Sequence, residues 1–297
     1  MNPVVLYFAS GESLYSGGTI LFFAIAVSPL LRKTWERRLR NIAAWLGSVL
    51  MVMASPPFSW GIASGFLAAY ILWFSVECSS GHAQCRTTLT TVSRVLLAVL
   101  ALVLCFVEFH HRREPTIVGF QNDHMVVIGD SISAGLDPHI SSWPKIMQEM
   151  TGVPVGNLAR PGADLSEGLM MATEPSPSDH VVLLELGGND LLSGVPSKEF
   201  ARRLEAVLTR VASRDRVVAM FELPLLPVWI SHGRSQRQLA SKYGVYLIRK
   251  RDFAAVISGG SATIDGLHLS ETGTRRMALL VARTFSPVLG VSPHALH

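Results

Sequence analysis

The stretch Met125–Gly135, MVVIGDSISAG, decides the fold of this chain. Four apolar residues read as a buried strand and run directly into Gly129-Asp130-Ser131 and a turn of small residues. Gly129 relieves crowding at the strand end, and Asp130 can hold the turn through local hydrogen bonds. Ser131 is left where a helix would start, with its hydroxyl at the carboxyl edge of the strand. Taken alone, Gly-Asp-Ser is an ordinary turn. Its weight comes from three further loops nearer the carboxyl terminus.

Downstream, strand and helix patterns alternate. A helix at Trp143–Met150, with Ser141 or Ser142 as its cap, precedes a strand at Val153–Leu158. The breaker-rich loop Ala159–Asp164 enters a helix at Asp164–Ala172. His180–Leu186, HVVLLEL, is a continuous apolar run, as expected of a central parallel strand covered on both faces. It ends in Gly187-Gly188-Asn189-Asp190. An amphipathic helix at Lys198–Ser213, a strand at Arg216–Leu223, a polar helix near Ser231–Tyr243 and a strand at Val245–Ile248 come next. The loop Ser258–His268 leads to a last helix at about Glu271–Phe285. This alternation predicts a three-layer α/β/α sandwich with a mostly parallel sheet. Ligands bind such sheets at the carboxyl ends of the strands, where the loops Gly129–Gly135, Arg160–Asp164 and Gly187–Asp190 fall.

Those loops, with the one before the last helix, hold the parts that acyl transfer through a serine requires: nucleophile, base, an orienting group for the base, and oxyanion donors. Ser131 is the candidate nucleophile and its N–H a candidate donor. His268 is the candidate base, with Asp265 three residues before it as the orienting acid. Gly162 leaves its N–H open to a ligand, and Asn189 brings an amide donor. Each also has a purely structural reading: Gly162 as a turn glycine, Asn189 as a cap, and Asp265/His268 as a capping pair.

In order and spacing, Gly129-Asp130-Ser131, Gly162, Gly187-Gly188-Asn189-Asp190 and Asp265-Gly266-Leu267-His268 resemble the four signature blocks of the SGNH (GDSL) hydrolase family. The resemblance covers about Met125–Pro287. It implies a flavodoxin-like sandwich with Ser131 as nucleophile, His268 as general base and Asp265 as its orienting acid. Ser131 and Gly162 N–H groups and the Asn189 side chain would form the oxyanion hole. It implies no metal or organic cofactor, and the sequence has no metal-ligand, Walker or dinucleotide motif. His110, His111 and His124 read as solvated linker residues rather than metal ligands.

The first 110 residues differ in kind. The chain of 297 residues is 49% hydrophobic and only 16% charged, and the apolar excess lies mostly before residue 110. Apolar runs at Ser16–Leu31, Ile42–Trp60, Gly61–Glu77 and Val95–Phe109 each approach the roughly 20 residues that cross a bilayer. No charge sits at mid-span to suggest an ion path. The net charge of +4 is no sign of nucleic acid, because Arg32, Lys33, Arg37, Arg38 and Arg40 cluster between apolar runs, as in a cytoplasmic loop. No Lys or Arg precedes residue 32, which argues against a signal peptide. Of the three cysteines, Cys78 and Cys85 would pair only in an oxidising compartment, and Cys105 is left over.

The domain reading is therefore 1–110 as a transmembrane region of about four helices, 111–124 as linker, 125–290 as the hydrolase domain and 291–297 as tail. The expected protein is an integral cytoplasmic-membrane protein with its catalytic domain outside. Its substrate would be a small-molecule, glycan or lipid ester near the bilayer. An acyltransferase, passing the acyl group to a glycan, and a catalytically silent membrane-anchored binding domain are the alternatives. Leu191-Leu192 and Leu225-Leu226 are generic candidates for pocket walls.

Overall fold

Five short strands form one sheet in the order β2-β1-β3-β4-β5, and every pairing is parallel. They are β1 (Met125–Gly129), β2 (Val155–Asn157), β3 (Val181–Glu185), β4 (Val217–Phe221) and β5 (Tyr246–Ile248). In this computed structural model, the described residues are 3–291 except 32, 55–56, 79–82, 114, 119–123, 136, 138, 177–178, 214, 259–260 and 266–267. Pairing between Cys78 and Cys85, most of the 291–297 tail and the tip of the Asp265–His268 loop lie outside the described residues.

The chain divides into two units, Gly11–Arg112, and Met1–Ser10 together with Arg113–His297. The second contains the sheet. All ten residues of β1 and β3 are buried, which is why both read as apolar runs, interrupted only by Glu185 at the end of β3. Covering helices include α7 (Trp143–Thr151), α8 (Leu165–Met171), α10 (Ser197–Val211), α11 (Ile230–Tyr243), α12 (Lys250–Ser258) and α13 (Glu271–Leu289). Helix α10 buries Phe200, Leu204, Val207, Leu208 and Val211, the stripe expected from spacing. Each such side chain contributes about 1.5–3 kcal/mol on leaving water. The expected parallel sandwich is present. Two helices are added to it that the sequence pattern does not announce, α12 and α1 (Pro3–Ala9), which packs on it. Ile117, in the segment expected to be linker, is buried in the core of this unit.

The strand order reverses direction beside β1. Strand β2 lies on one side of β1 and β3 on the other, so the chain leaves the ends of β1 and β3 toward opposite layers and opens a crevice between them. The Gly-Asp-Ser and Gly-Gly-Asn-Asp turns sit on the two rims of that crevice.

The Gly11–Arg112 unit consists of α2 (Glu12–Val27), α3 (Thr34–Met53), α4 (Trp60–Cys78) and α5 (Ala83–Arg112). Glu12–Leu30, Trp60–Glu77 and Thr88–Arg112 are long and apolar enough to cross a membrane. Helix α3 carries Arg37, Arg38 and Arg40 in its first two turns. Helices α2 and α3 meet at Gly17 and Gly47, where a Cβ on either glycine would overlap the backbone of the other helix, a small-residue contact that lets the two backbones approach closely. Glu12, at the start of α2, ion-pairs with Arg112 at the end of α5. Far along the chain from these, Glu77 near the end of α4 takes Arg40 at 2.8 Å and Arg94 at 2.6 Å. The α5 helix begins at Ala83, ahead of the apolar run Val95–Phe109, so Arg94 lies inside it.

Candidate active site

Ser131 is the first residue of the four-residue helix α6 (Ser131–Ala134). Asp130 caps this helix: its Oδ1 accepts the Ile132 N–H at 2.9 Å. Strand, cap and helix start leave Ser131 half-buried, its main-chain N–H at a helix N-terminus and its hydroxyl on a cavity wall. Gly129 is required here by space. A Cβ would lie 2.8 Å from Ser133 Oγ and 3.1 Å from Glu185 Oε2.

Asn189 sits in the first turn of α9 (Gly188–Leu192), a short helix in place of the glycine turn that the sequence suggests. Gly187 turns the chain into it with φ of 103°, a conformation natural to glycine. The Asn189 Nδ2 donates to Asp130 Oδ2 at 3.1 Å and to the Ala163 carbonyl at 2.9 Å. One amide thus ties the three loops together, and an oxyanion meeting it would share the hydrogen now directed at Asp130. Gly162 is exposed with φ of 79°, and a Cβ there would meet nothing within 4 Å. Conformation, not crowding, calls for glycine at that position.

Asp190 and Arg203 hold the second and third loops, a role that sequence alone does not assign. Buried Asp190 Oδ2 accepts the Leu165 N–H at 2.9 Å, and its Oδ1 lies 3.3 Å from Arg203 Nη1. The same Arg203 nitrogen reaches Asp164 Oδ2 at 3.0 Å. Burial raises the Asp190 carboxyl above its usual range, opposed by the Leu165 N–H and the Arg203 charge. The signal for Asp190 lies in its place within the Gly187–Asp190 block. Arg203 looks like one more charge on the solvent face of a helix.

The fourth loop is a small hairpin. Thr263 and Leu269 form an antiparallel bridge, and the Ile264 N–H donates to the His268 carbonyl at 2.8 Å. Asp265 Oδ1 accepts the His268 main-chain N–H at 2.8 Å, while Oδ2 lies 2.6 Å from Nδ1 of the ring. The other ring nitrogen is left for chemistry. His268 and Ser131 line one small cavity together with Ile132 and Ile264. Among the described residues the two side chains share no hydrogen bond, as is common before substrate tightens such a site.

On its other side Ser131 faces a cleft of about 160 Å³. Asp130, Asn189 and Gly188 form its polar end. Leu223, Leu225, Trp229, Phe253 and Ile257 form its apolar wall, with Leu191 and Leu192 at the rim. Three of the four leucines singled out in the sequence thus face the cleft; Phe253 and Ile257 come from α12, a helix without a clear sequence signal.

Comparison with known proteins agrees with this fold. The esterase EstA from Pseudoalteromonas sp., solved with monoethylphosphonate as inhibitor, superposes with TM-score 0.50 at 20% identity, covering 57% of this chain and all of that one. TesA superposes with TM-score 0.49 at 24% identity, covering 56% and 99% respectively. An arylesterase of Vibrio mimicus is 28% identical over 114 residues, which is 36% of this chain and 57% of that relative, so the likeness spans little more than half the relative's length. Residues 127–276, half of the chain and all four loops, match the GDSL-like lipase/acylhydrolase family, and the chain belongs to that family.

Proposed function

We propose that the protein is a membrane-anchored serine ester hydrolase that cleaves acyl esters through an acyl-serine intermediate. The observation that carries this reading is the placement of Ser131 between an Asp-buttressed histidine and an apolar cleft. In the first step His268 takes the Ser131 proton as Oγ attacks the ester carbonyl. The Ser131 N–H, the Gly162 N–H and the Asn189 amide stabilise the oxyanion, and the leaving alcohol departs with the proton from His268. Water, deprotonated by His268, then attacks the acyl-serine and releases the carboxylic acid.

The cleft supports an acyl chain longer than acetyl, as in a lipid ester or a glycan bearing such a group. Each added CH₂ that enters it gains about 0.8 kcal/mol, or roughly fourfold in kcat/KM, until the cleft is full. A p-nitrophenyl ester series from acetyl to palmitoyl, assayed with the full chain in detergent, tests this. Rising kcat/KM over the first members and then a plateau or fall is expected. A series that is flat or falls from acetyl onward would remove the acyl chain from this cleft, and no turnover at all would remove the hydrolase reading.

Three helices of the helical unit are long and apolar enough to cross, and with α3 as the pass between the first two of them the anchor has four crossings rather than three. The Glu12–Arg112 ion pair brings its entry and exit to one end, so an even number of passes returns the chain to the side it came from. The α2–α3 turn and the starts of α3 and α5 carry the surplus of arginine, which marks the cytoplasmic side. The hydrolase domain then lies outside the cytoplasm. An export-dependent reporter fused to the carboxyl terminus is expected to be active, and a reporter that works only in the cytoplasm would overturn the four-pass topology.

A further inference from the structure

Glu185 closes β3 directly beneath the serine turn and is 3% exposed. A carboxyl so enclosed is retained only where hydrogen bonds replace its lost hydration. Its Oε2 accepts from Ser133 Oγ at 3.0 Å and from the Asp130 main-chain N–H at 3.2 Å. Ser133 Oγ in turn accepts the Trp143 Nε1–H at 3.1 Å. The Asp130 carboxyl lies near enough for its charge to act on Glu185. Asp130 then holds Ile132 N–H with one oxygen and the Asn189 amide with the other. A continuous chain of polar groups therefore runs from Trp143 through Ser133, Glu185 and Asp130 to Asn189. It links the turn after β1 to the turn after β3, across the crevice where a substrate carbonyl would lie. Gly129 leaves the space in which this chain fits, since a Cβ there would press on both Ser133 and Glu185.

We propose that Glu185 is a positioning residue of the hydrolytic site: it clamps Asp130, and through Asp130 fixes the Ser131 N–H and the Asn189 amide at one mutual geometry. The inference rests on the hydrolase reading above. Two carboxyls this near each other and away from water hold one proton between them. Burial pushes both upward, and Glu185 the further, because the neighbouring Asp130 charge adds to its own burial. Oε2 already takes two donors, so the other Glu185 oxygen carries the proton. Asp130 remains the acceptor for Ile132 and Asn189. Glu185 lies in the floor of the cleft, 3% exposed, with Oε2 directed to Ser133 and Asp130 rather than to a ligand. Its effect is on how well two oxyanion donors from different strands are aligned, which is felt in kcat rather than KM.

Three variants of the full chain separate this from a filler role, assayed on one p-nitrophenyl ester with thermal midpoints as the control for folding. Glu185→Gln repeats the neutral carboxylic acid's pattern of one donating and one accepting side, and is expected to keep kcat within about threefold. Glu185→Met keeps the volume but removes the clamp, and kcat is expected to fall about 100-fold with KM within about twofold, in the range seen when one oxyanion donor is lost. Combined with Asn189→Ala, Glu185→Met is expected to cost clearly less than the product of the two single losses, because part of its effect acts on the same amide and only the part through the Ser131 N–H remains. Should Glu185→Met fail to fold, Ser133→Ala takes its place in the pairing, since it strips Glu185 of one of its two donors. A folded Met variant with unchanged kcat, a Gln variant as poor as Met, or full additivity with Asn189→Ala would each overturn the clamp. Wild-type turnover is measured first. Its absence speaks against the hydrolase reading, whereas turnover that survives loss of Glu185 speaks against the clamp alone.

Discussion

Ser131→Ala is expected to lower kcat by about 10⁵-fold or more on the best p-nitrophenyl ester, with the thermal midpoint unchanged. The size follows from the mechanism: without the hydroxyl no acyl-serine forms, and only donor groups and binding remain to assist direct attack by water. The unchanged stability follows from the structure. Ser131 is half-buried, and its hydroxyl has no hydrogen-bond partner among the described residues, so its removal leaves no cavity and no orphaned donor. Surface changes of that kind fall within about 0.5 kcal/mol. The measurement is full-length variant against wild type, side by side, with a fluorophosphonate probe on both. A variant that retains turnover within about tenfold of wild type, or that still takes the probe at this site, would place the nucleophile elsewhere.

The sandwich is legible in sequence because its two central strands are buried on both faces and therefore carry apolar runs interrupted only by Glu185, and because α10 shows a clean helical stripe. The edge strands are legible only approximately: β2 and β5 are three residues each, too short for periodicity to fix their ends. Helix α12 escapes because its first turn is Lys250-Arg251-Asp252 and its buried residues past that turn, Phe253, Ala254, Val256 and Ile257, span little more than one turn. Without that helix the apolar cleft lacks two of the five residues of its wall, Phe253 and Ile257, so its apolar side is only partly legible from sequence. The five expected site residues lie in the four loops named for them. What sequence does not reveal is how the loops are held. Glu185 sits in a run that reads as apolar, and Arg203 on a face that reads as solvated. Each acquires meaning only from partners 55 and 39 residues away. In the same way, the pairing of Glu77 with Arg40 and Arg94 makes one end of the helical unit polar inside, something a hydropathy reading of separate runs does not contain.

Asp265 gives the second large effect, and one whose ranking among substitutions follows from two hydrogen bonds. Its Oδ1 accepts the His268 main-chain N–H and its Oδ2 faces Nδ1 of the ring, so a carboxylate satisfies both as acceptor. Ring nitrogen Nδ1 then carries hydrogen, and Nε2 is free to take the Ser131 proton. An asparagine has one acceptor for two donors. The main-chain N–H cannot change its role, so it claims the amide oxygen, and the NH₂ group is turned toward Nδ1. Nδ1 must then accept, the ring hydrogen moves to Nε2, and the base is blocked on the side facing Ser131. Asp265→Asn is therefore expected to lower kcat by about 10³–10⁴-fold, the lower bound reflecting water's access to a side chain that is 53% exposed. Asp265→Ala leaves the ring free to choose its tautomer, and is expected to lose less than Asp265→Asn although it removes more atoms. KM stays near wild type in both, because neither Asp265 nor His268 borders the apolar cleft. The decisive comparison is kcat for the two variants on the same ester. If Asn is the better of the two, Asp265 acts by packing or capping alone and the histidine takes its orientation from another group.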